Sequence, residues 1–410
     1  MTLVARTRRL DADVDLLDVA GDDGFVFEKG RAGLAGRGRA LVLDWPAGDP
    51  AAAARAAAQG LAAIERDDPV AVPGTGPVAF AALPFVPGGP AALVVPELVV
   101  GRAEDGTRWV TTVTEDGAEH GADQDPPLAA PRTAGPQPTR YTVATDRPPE
   151  AWCDLVGRAT KAMVAGAFAK VVLARQVDVT ADRPLDRRAV LDRLRAAYPG
   201  CHLVAVGGFV AASPELLVSV TGDVVRSHPM AGTAPRGGDP TTDQRLAASL
   251  LASAKDRHEH QLTIDMVQDT LLGWCSYVDY EAEPSVVAVA NVQHLATLVE
   301  GRLSHPAPSV LDLVAALHPT PAVAGWPRDD AVAWIGAHEG IDRGRYAGTA
   351  GWVDAAGNGT WAVSVRCAEL DGPHARLWAG NGIVADSDPD TELAETRAKL
   401  QALLSVLVRP

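Results

Sequence analysis

Cysteine is scarce. The 410 residues hold four, Cys153, Cys201, Cys275 and Cys367, and no CxxC pair. That spacing argues against a disulfide frame or a zinc knuckle and fits buried thiols in a reducing compartment. Long apolar runs are missing too. The longest, AALVVPELVV at 91–100, is interrupted by Pro96 and Glu97 and falls short of the roughly 20 apolar residues that cross a bilayer. The opening residues, MTLVARTRRL, hold no apolar signal core, so a soluble, cytoplasmic protein is expected. Positive charge is in deficit: 37 Lys and Arg stand against 52 Asp and Glu, a net charge of −15. Nucleic acid and anionic membrane surfaces are gripped by basic patches, so neither is expected as a partner. An anionic substrate would then need a metal ion and a few local cations. No Walker loop, GxGxxG or GxSxG occurs. Gly237-Gly238 in PRGGDP lacks the lysine of a phosphate loop and reads as a plain turn. His258-Glu259-His260 sets its histidines two apart, on different helix faces, where a zinc protease needs them four apart.

What the chain does hold is apolar residue, 47% of it, ample for a large core. At roughly 150 residues per domain the length suggests two or three domains. Residues 1–115 read as strands (24–30, 39–45, 77–84, 91–100 and 108–114) with one Ala-rich helix at 50–66. Residues 116–147 are acidic, then rich in Pro, Ala and Gly, which predicts a long exposed loop and a boundary between halves. From 148 onward, helices are expected at 148–169, 185–198 and 242–272, and strands from Lys170 and at 202–210, 216–220 and 224–229. Residues 230–234 read as a loop. Strands follow at 286–292, through 299, and at 348–353, 361–369 and 375–379, before a last helix. Hairpin order without regular βαβ alternation predicts a mixed α/β fold with large antiparallel sheets.

The stretch 378–400, WAGNGIVADSDPDTELAETRAKL, carries the densest chemistry. A short apolar strand enters Gly380-Asn381-Gly382, where backbone can approach a ligand closely. On the helix beyond, Glu392, Glu395 and Lys399 share one face. Far upstream, Asp256 and Glu259 form a matching pair at i, i+3. The plainer reading is two solvated charged stripes. The sharper one is two helices offering four carboxylates to a hard divalent cation. Lys170 opens a nearly continuous apolar strand. It is either a strand-end lysine reaching for water or a desolvated general base. Glu215, in a Ser-Pro-Glu turn between apolar strands, is either a solvated turn carboxylate or a buried general acid. Arg366, in the apolar strand VSVRCAEL, needs a partner. That partner is either a structural carboxylate or a substrate's.

Together these stretches resemble the chorismate-utilising enzymes, most closely the isochorismate synthases of siderophore or menaquinone pathways. The matching segments are KVVLAR at Lys170, SPELL at Ser213, HPMAGTAPR at His228, SAKDRHEH at Ser253 and VQHLAT at Val292. HPTPAVAGWP at His318, YAGTAGW at Tyr346, VRCAEL at Val365 and the stretch from Ala379 complete the set. The resemblance is dense over 148–410 and loose over 1–115.

The resemblance implies one large α/β (α+β) domain of two layered antiparallel sheets flanked by helices, the fold of anthranilate synthase component I. Residues 1–115 would then be the N-terminal half of the sheet core and 148–410 the catalytic region. It implies an isomerase converting chorismate to isochorismate, with Mg²⁺ as cofactor. By that likeness Lys170 activates a water and Glu215 protonates the departing 4-hydroxyl. Glu259 and Glu395 match direct metal ligands; Asp256 and Glu392 match groups reaching the metal through water. Gly380 and Lys399 help to hold the ring carboxylate, and Arg366 and Tyr346 the enolpyruvyl carboxylate. Gly232, Thr233, His294 and Ala322 line the ring pocket. The loop HPTPAVAG differs from the HPAGTVTG type of the ammonia-using members, so no glutamine amidotransferase partner is expected, and a monomer is. Salicylate synthase, which goes on to eliminate pyruvate, is the alternative outcome.

Overall fold

The computed structural model describes residues 2–116, 127–130 and 135–408. Residues 117–126 and 131–134 of the expected loop therefore lie outside the described residues.

The described residues form three sheets, of 13, nine and three strands. Pairing is antiparallel throughout the two larger sheets, apart from Leu3–Arg9 against Glu65–Asp67. The two halves of the chain are interleaved in both. In the largest sheet Val26 of strand Phe25–Lys29 pairs with Ala205 of His202–Val206. In the second, Ala81 of Val78–Leu83 pairs with Gly351 of Thr349–Asp354. That is why a length-based expectation of two or three domains gives way to a single domain: neither half completes either of the two larger sheets alone.

One apolar core lies between the two larger sheets; the Phe25 and Phe80 rings stack across it at 5.5 Å. A second core fills the opposite face of the 13-stranded sheet, under helices Leu16–Ala20, Arg187–Ala197 and Pro389–Leu407. The small sheet, Met230–Pro235, Val292–Ala296 and Ser285–Ala288, packs under helices Pro240–Ala252 and Ala254–Leu272.

The two helices that matter most start on strong caps. Asp388 accepts the Thr391 amide with Pro389 in the first turn, and Ser253 accepts the Asp256 amide. Each such cap contributes about 1 kcal/mol. Strand Lys170–Ala181 is buried along nearly its whole length, which accounts for its continuous apolar run.

Several expected elements divide. The 91–100 run is two strands in different sheets, Ala91–Val95 and Leu98–Arg102; Pro96 between them has no N–H for a ladder. The 361–369 run likewise splits into Gly359–Val363 and Cys367–Asp371. Residues 202–210 make two strands of a hairpin, His202–Val206 and Phe209–Ser213, turning at Gly207 with φ +58°. The 242–272 helix breaks at Ser253, whose ψ of 112° is extended and whose hydroxyl caps the second piece. Residues 230–234 belong to a strand, not a loop. Within the expected loop 116–147, Tyr141–Thr145 forms the edge strand of the 13-stranded sheet, paired with Val177–Ala181. Its residues, Tyr-Thr-Val-Ala-Thr, are mostly exposed and carry too weak an apolar signal. No helix among the described residues is long and apolar enough to cross a membrane.

Candidate active site

Strand His374–Ile383 supplies the floor of the site. Gly380 and Gly382 point to one face and Asn381 to the other. A Cβ on Gly380 would stand 2.7 Å from the Tyr346 hydroxyl, and one on Gly382 2.8 Å from Glu259 Oε1 and 2.9 Å from Lys170 Cε. Close approach, rather than turn geometry, calls for glycine at both.

Glu215 and Arg366 occupy matching places. Each sits where the chain crosses from one large sheet to the other, Glu215 between Phe209–Ser213 and Leu216–Thr221, Arg366 between Gly359–Val363 and Cys367–Asp371. Arg366 holds φ at +52°, a conformation rare for a side-chain-bearing residue. The Glu215 carboxyl is buried, and burial pushes it up to about 7, against the opposing pull of the Met230 amide, Arg366 and Lys170. A carboxyl so placed is substantially protonated at neutral pH.

Arg366 donates to His294 Nε2 at 2.6 Å. Guanidinium has only donors, so Nε2 accepts and the ring proton lies on Nδ1, which donates to the Gly232 carbonyl at 3.0 Å with the Thr233 hydroxyl at 3.1 Å. Burial and the Arg366 and Lys399 charges hold His294 well below the ordinary imidazole value. This histidine is a neutral orienting group. Tyr346 is buried, its phenol pushed up mainly by desolvation, and its ring stacks on Trp378 at 6.0 Å.

The acidic helices meet the lysines. Lys170, only 1% exposed, places Nζ 2.7 Å from Glu259 Oε1. Lys399 Nζ is 2.7 Å from Glu395 Oε1 and donates to the Gly380 carbonyl and Asn381 Oδ1, both at 3.0 Å. Glu392 accepts from Asn381 Nδ2 at 3.0 Å and the Ser387 hydroxyl at 2.8 Å; burial raises its carboxyl. Asp256 faces Gly232, with Oδ1 3.3 Å from the place of a Cβ there. Among the described residues no three His, Cys, Asp or Glu side chains converge closely enough to hold a metal by themselves. The four expected carboxylates are thus not one ready-made cage. Glu259 and Glu395 each face a lysine Nζ instead. Mg²⁺ is commonly held by one or two carboxylates and several waters, so Glu259 and Glu395 have the right chemistry for it, and the missing side chain at Gly382 is what lets the Glu259 carboxylate and the Lys170 amine lie against the strand.

These groups enclose a cavity of about 730 Å³, counting its mouth. Glu215, Gly232, Thr233, Glu259, His294, Ala322, Tyr346, Arg366, Gly380 and Lys399 line it. Lys170, Glu395, Asp256 and Glu392 stand behind that lining: Lys170 and Glu395 are paired to it, Asp256 packs against it and Glu392 is hydrogen-bonded to the strand beneath. Sequence reasoning missed Val172, Pro214, Met230, Val323, Trp378 and Leu403 in the wall. They are apolar residues in apolar elements, and no local signal marks them.

Comparison with known proteins identifies the family. Residues 25–408 match the model of a family described as chorismate binding enzyme. A Mycobacterium tuberculosis protein, provisionally named isochorismate synthase MenF, is 42% identical over 349 residues, 82% of this chain and 87% of its own. Isochorismate synthase EntC of Escherichia coli K12 is 34% identical over 338 residues, 80% of this chain and 81% of its own. The solved structure of MenF, the menaquinone-specific isochorismate synthase of Escherichia coli, superposes with a TM-score of 0.80 over 99% of this chain and 95% of that one; at 24% identity it speaks for the fold. The chain belongs to the chorismate-binding enzyme family.

Proposed function

We propose that this protein is an isochorismate synthase, an isomerase that adds water at ring C2 of chorismate and expels the C4 hydroxyl. One observation carries the reading. A protonatable, buried Glu215 lies on the wall of a cavity that a buried amine, Lys170, borders through Glu259. A carboxylic acid that is neutral near pH 7 and an amine base are the two groups the reaction needs.

Chorismate is a dianion, and the site offers a cation for each carboxylate. Lys399, with the Gly380 backbone, would hold the ring carboxylate. Arg366, oriented by His294, would hold the enolpyruvyl carboxylate with the Tyr346 hydroxyl. Lys170 in its amine form takes a proton from water as that oxygen bonds to C2. The ring double bonds shift, the C4–O bond breaks, and Glu215 gives its proton to the departing oxygen, which leaves as water. Atoms balance: one water enters and one leaves. Gly232, Thr233 and Ala322 shape the ring pocket. Mg²⁺ would be held by Glu259 and Glu395, with Asp256 and Glu392 acting through waters, and would supply positive charge beside the ring carboxylate.

Incubation with chorismate and Mg²⁺ followed by product separation tests the reading. Isochorismate alone is expected. Salicylate with pyruvate, or no turnover, would contradict it.

A further inference from the structure

Strand Lys170–Ala181 has a gap along one edge. Its inner edge pairs continuously with His374–Ile383. Its outer edge pairs with Gly325–Trp326 only at Lys170 and Val171, and with Tyr141–Thr145 only from Val177 onward. Residues 172–176 face no strand there, yet their outward backbone groups are buried and need partners. Main chain meets part of the gap, with the Val172 amide donating to the Ala324 carbonyl at 2.8 Å and the Asp146 amide to the Gln176 carbonyl at 3.1 Å, and side chains meet much of the rest. Glu339 Oε1 accepts the Ala174 amide at 2.7 Å, and Arg343 Nη2 donates to the Val172 carbonyl at 2.7 Å. Asp146 Oδ1 accepts the Gln176 amide at 3.0 Å.

Glu339 and Arg343 are a bidentate pair, with Nε to Oε2 and Nη2 to Oε1 both 2.7 Å. They are 1% and 3% exposed. Arg343 Nη1 also donates to the Val323 carbonyl at 3.1 Å, and its guanidinium lies over the Phe85 ring at 4.2 Å. The Tyr346 amide bonds the Arg343 carbonyl at 2.9 Å. Val172, Val323 and Tyr346 all line the cavity. One buried pair therefore ties three walls together, two residues from Lys170, with neither of its own side chains in the lining.

We propose that the Glu339–Arg343 pair is a positioning device for the reaction: it stands in for a missing strand and sets where Lys170 and the Val323 wall lie. A buried pair is weak evidence for stability as such, since apolar residues of equal volume often do as well. What it supplies here is a forked geometry addressed to particular backbone groups. The inference rests on the functional reading above, and its test separates the two.

Arg343→Lys keeps the charge and loses the fork; Glu339→Gln, the milder change, keeps an acceptor for Ala174 and loses the charge. In folded protein, kcat on chorismate should fall about ten- to a hundredfold, the scale of an ångström-sized misplacement, with KM within about threefold of wild type. Amide hydrogen exchange should quicken at Val172, Ala174 and the 320–326 segment alone. A wild-type kcat per folded molecule would overturn the proposal, and so would faster exchange spread evenly over the chain. Should Arg343→Lys fail to fold, Glu339→Gln decides by the same two criteria. The kcat ratio is read on whatever product wild type makes, and the exchange needs no turnover. Failure of the isochorismate reading is therefore seen separately, in the wild-type product.

Discussion

Glu215 is buried, and that burial raises its carboxyl to about 7. As general acid it works protonated, so kcat/KM should fall as pH rises through about 7. Glu215→Gln should lower kcat by about 10²- to 10⁴-fold and abolish that alkaline limb; a limb that survives the substitution removes Glu215 from the role. Lys170→Ala should lose turnover while chorismate still binds, because the substrate carboxylates are assigned to Arg366 and Lys399. Turnover retained by this variant would remove Lys170 as base. Glu259→Gln should shift the Mg²⁺ dependence of activity to higher concentration, and an unchanged titration would count against Glu259 as a ligand. Much of this was legible residue by residue. A lysine opening an apolar strand, a glutamate in a turn between two of them and an arginine amid an apolar run needed a reason to be there. The Arg366–His294 bond was not legible, because no spacing rule joins residues 72 apart in the chain.

At the scale of elements, the site is built where chains change sheets and where a strand lacks side chains. Gly382 tests the second point. The atoms a Cβ would meet are the far ends of Glu259 and Lys170, which can swing aside. Gly382→Ala should therefore leave the melting temperature nearly unchanged while lowering kcat, because the displaced groups are the proposed ligand and base. A large loss of stability with normal kcat in the surviving enzyme would contradict this. The sheet changes were half visible. Pro96 marks one break plainly, but 364–366 reads as uninterrupted strand, because the turn there relies on an arginine in a glycine-like conformation. The edge-filling by Glu339 and Arg343 is invisible locally, since it answers a gap that exists only once distant strands have paired.

For the molecule as a whole, interleaved halves should unfold together. Phe80 is fully buried and stacks across the core on Phe25. Phe80→Ala should cost about 3–5 kcal/mol and lower the midpoint of a single denaturation transition; two separated transitions would contradict interleaving. Glu215 also links pH to global stability. Its folded value is raised from 4.5 to about 7, so its contribution is complete below 4.5 and is lost as pH rises through 7. Relative to Glu215→Gln, wild type should lose melting temperature over that window. The sheet class was readable from hairpin order. The partnership of the first 115 residues with the rest was not, because it depends on pairings such as Val26 with Ala205. In the proposed reaction the new hydroxyl comes from solvent water. Turnover of chorismate with Mg²⁺ in ¹⁸O-water should yield isochorismate carrying one ¹⁸O at the C2 hydroxyl, and an unlabelled product would contradict the account.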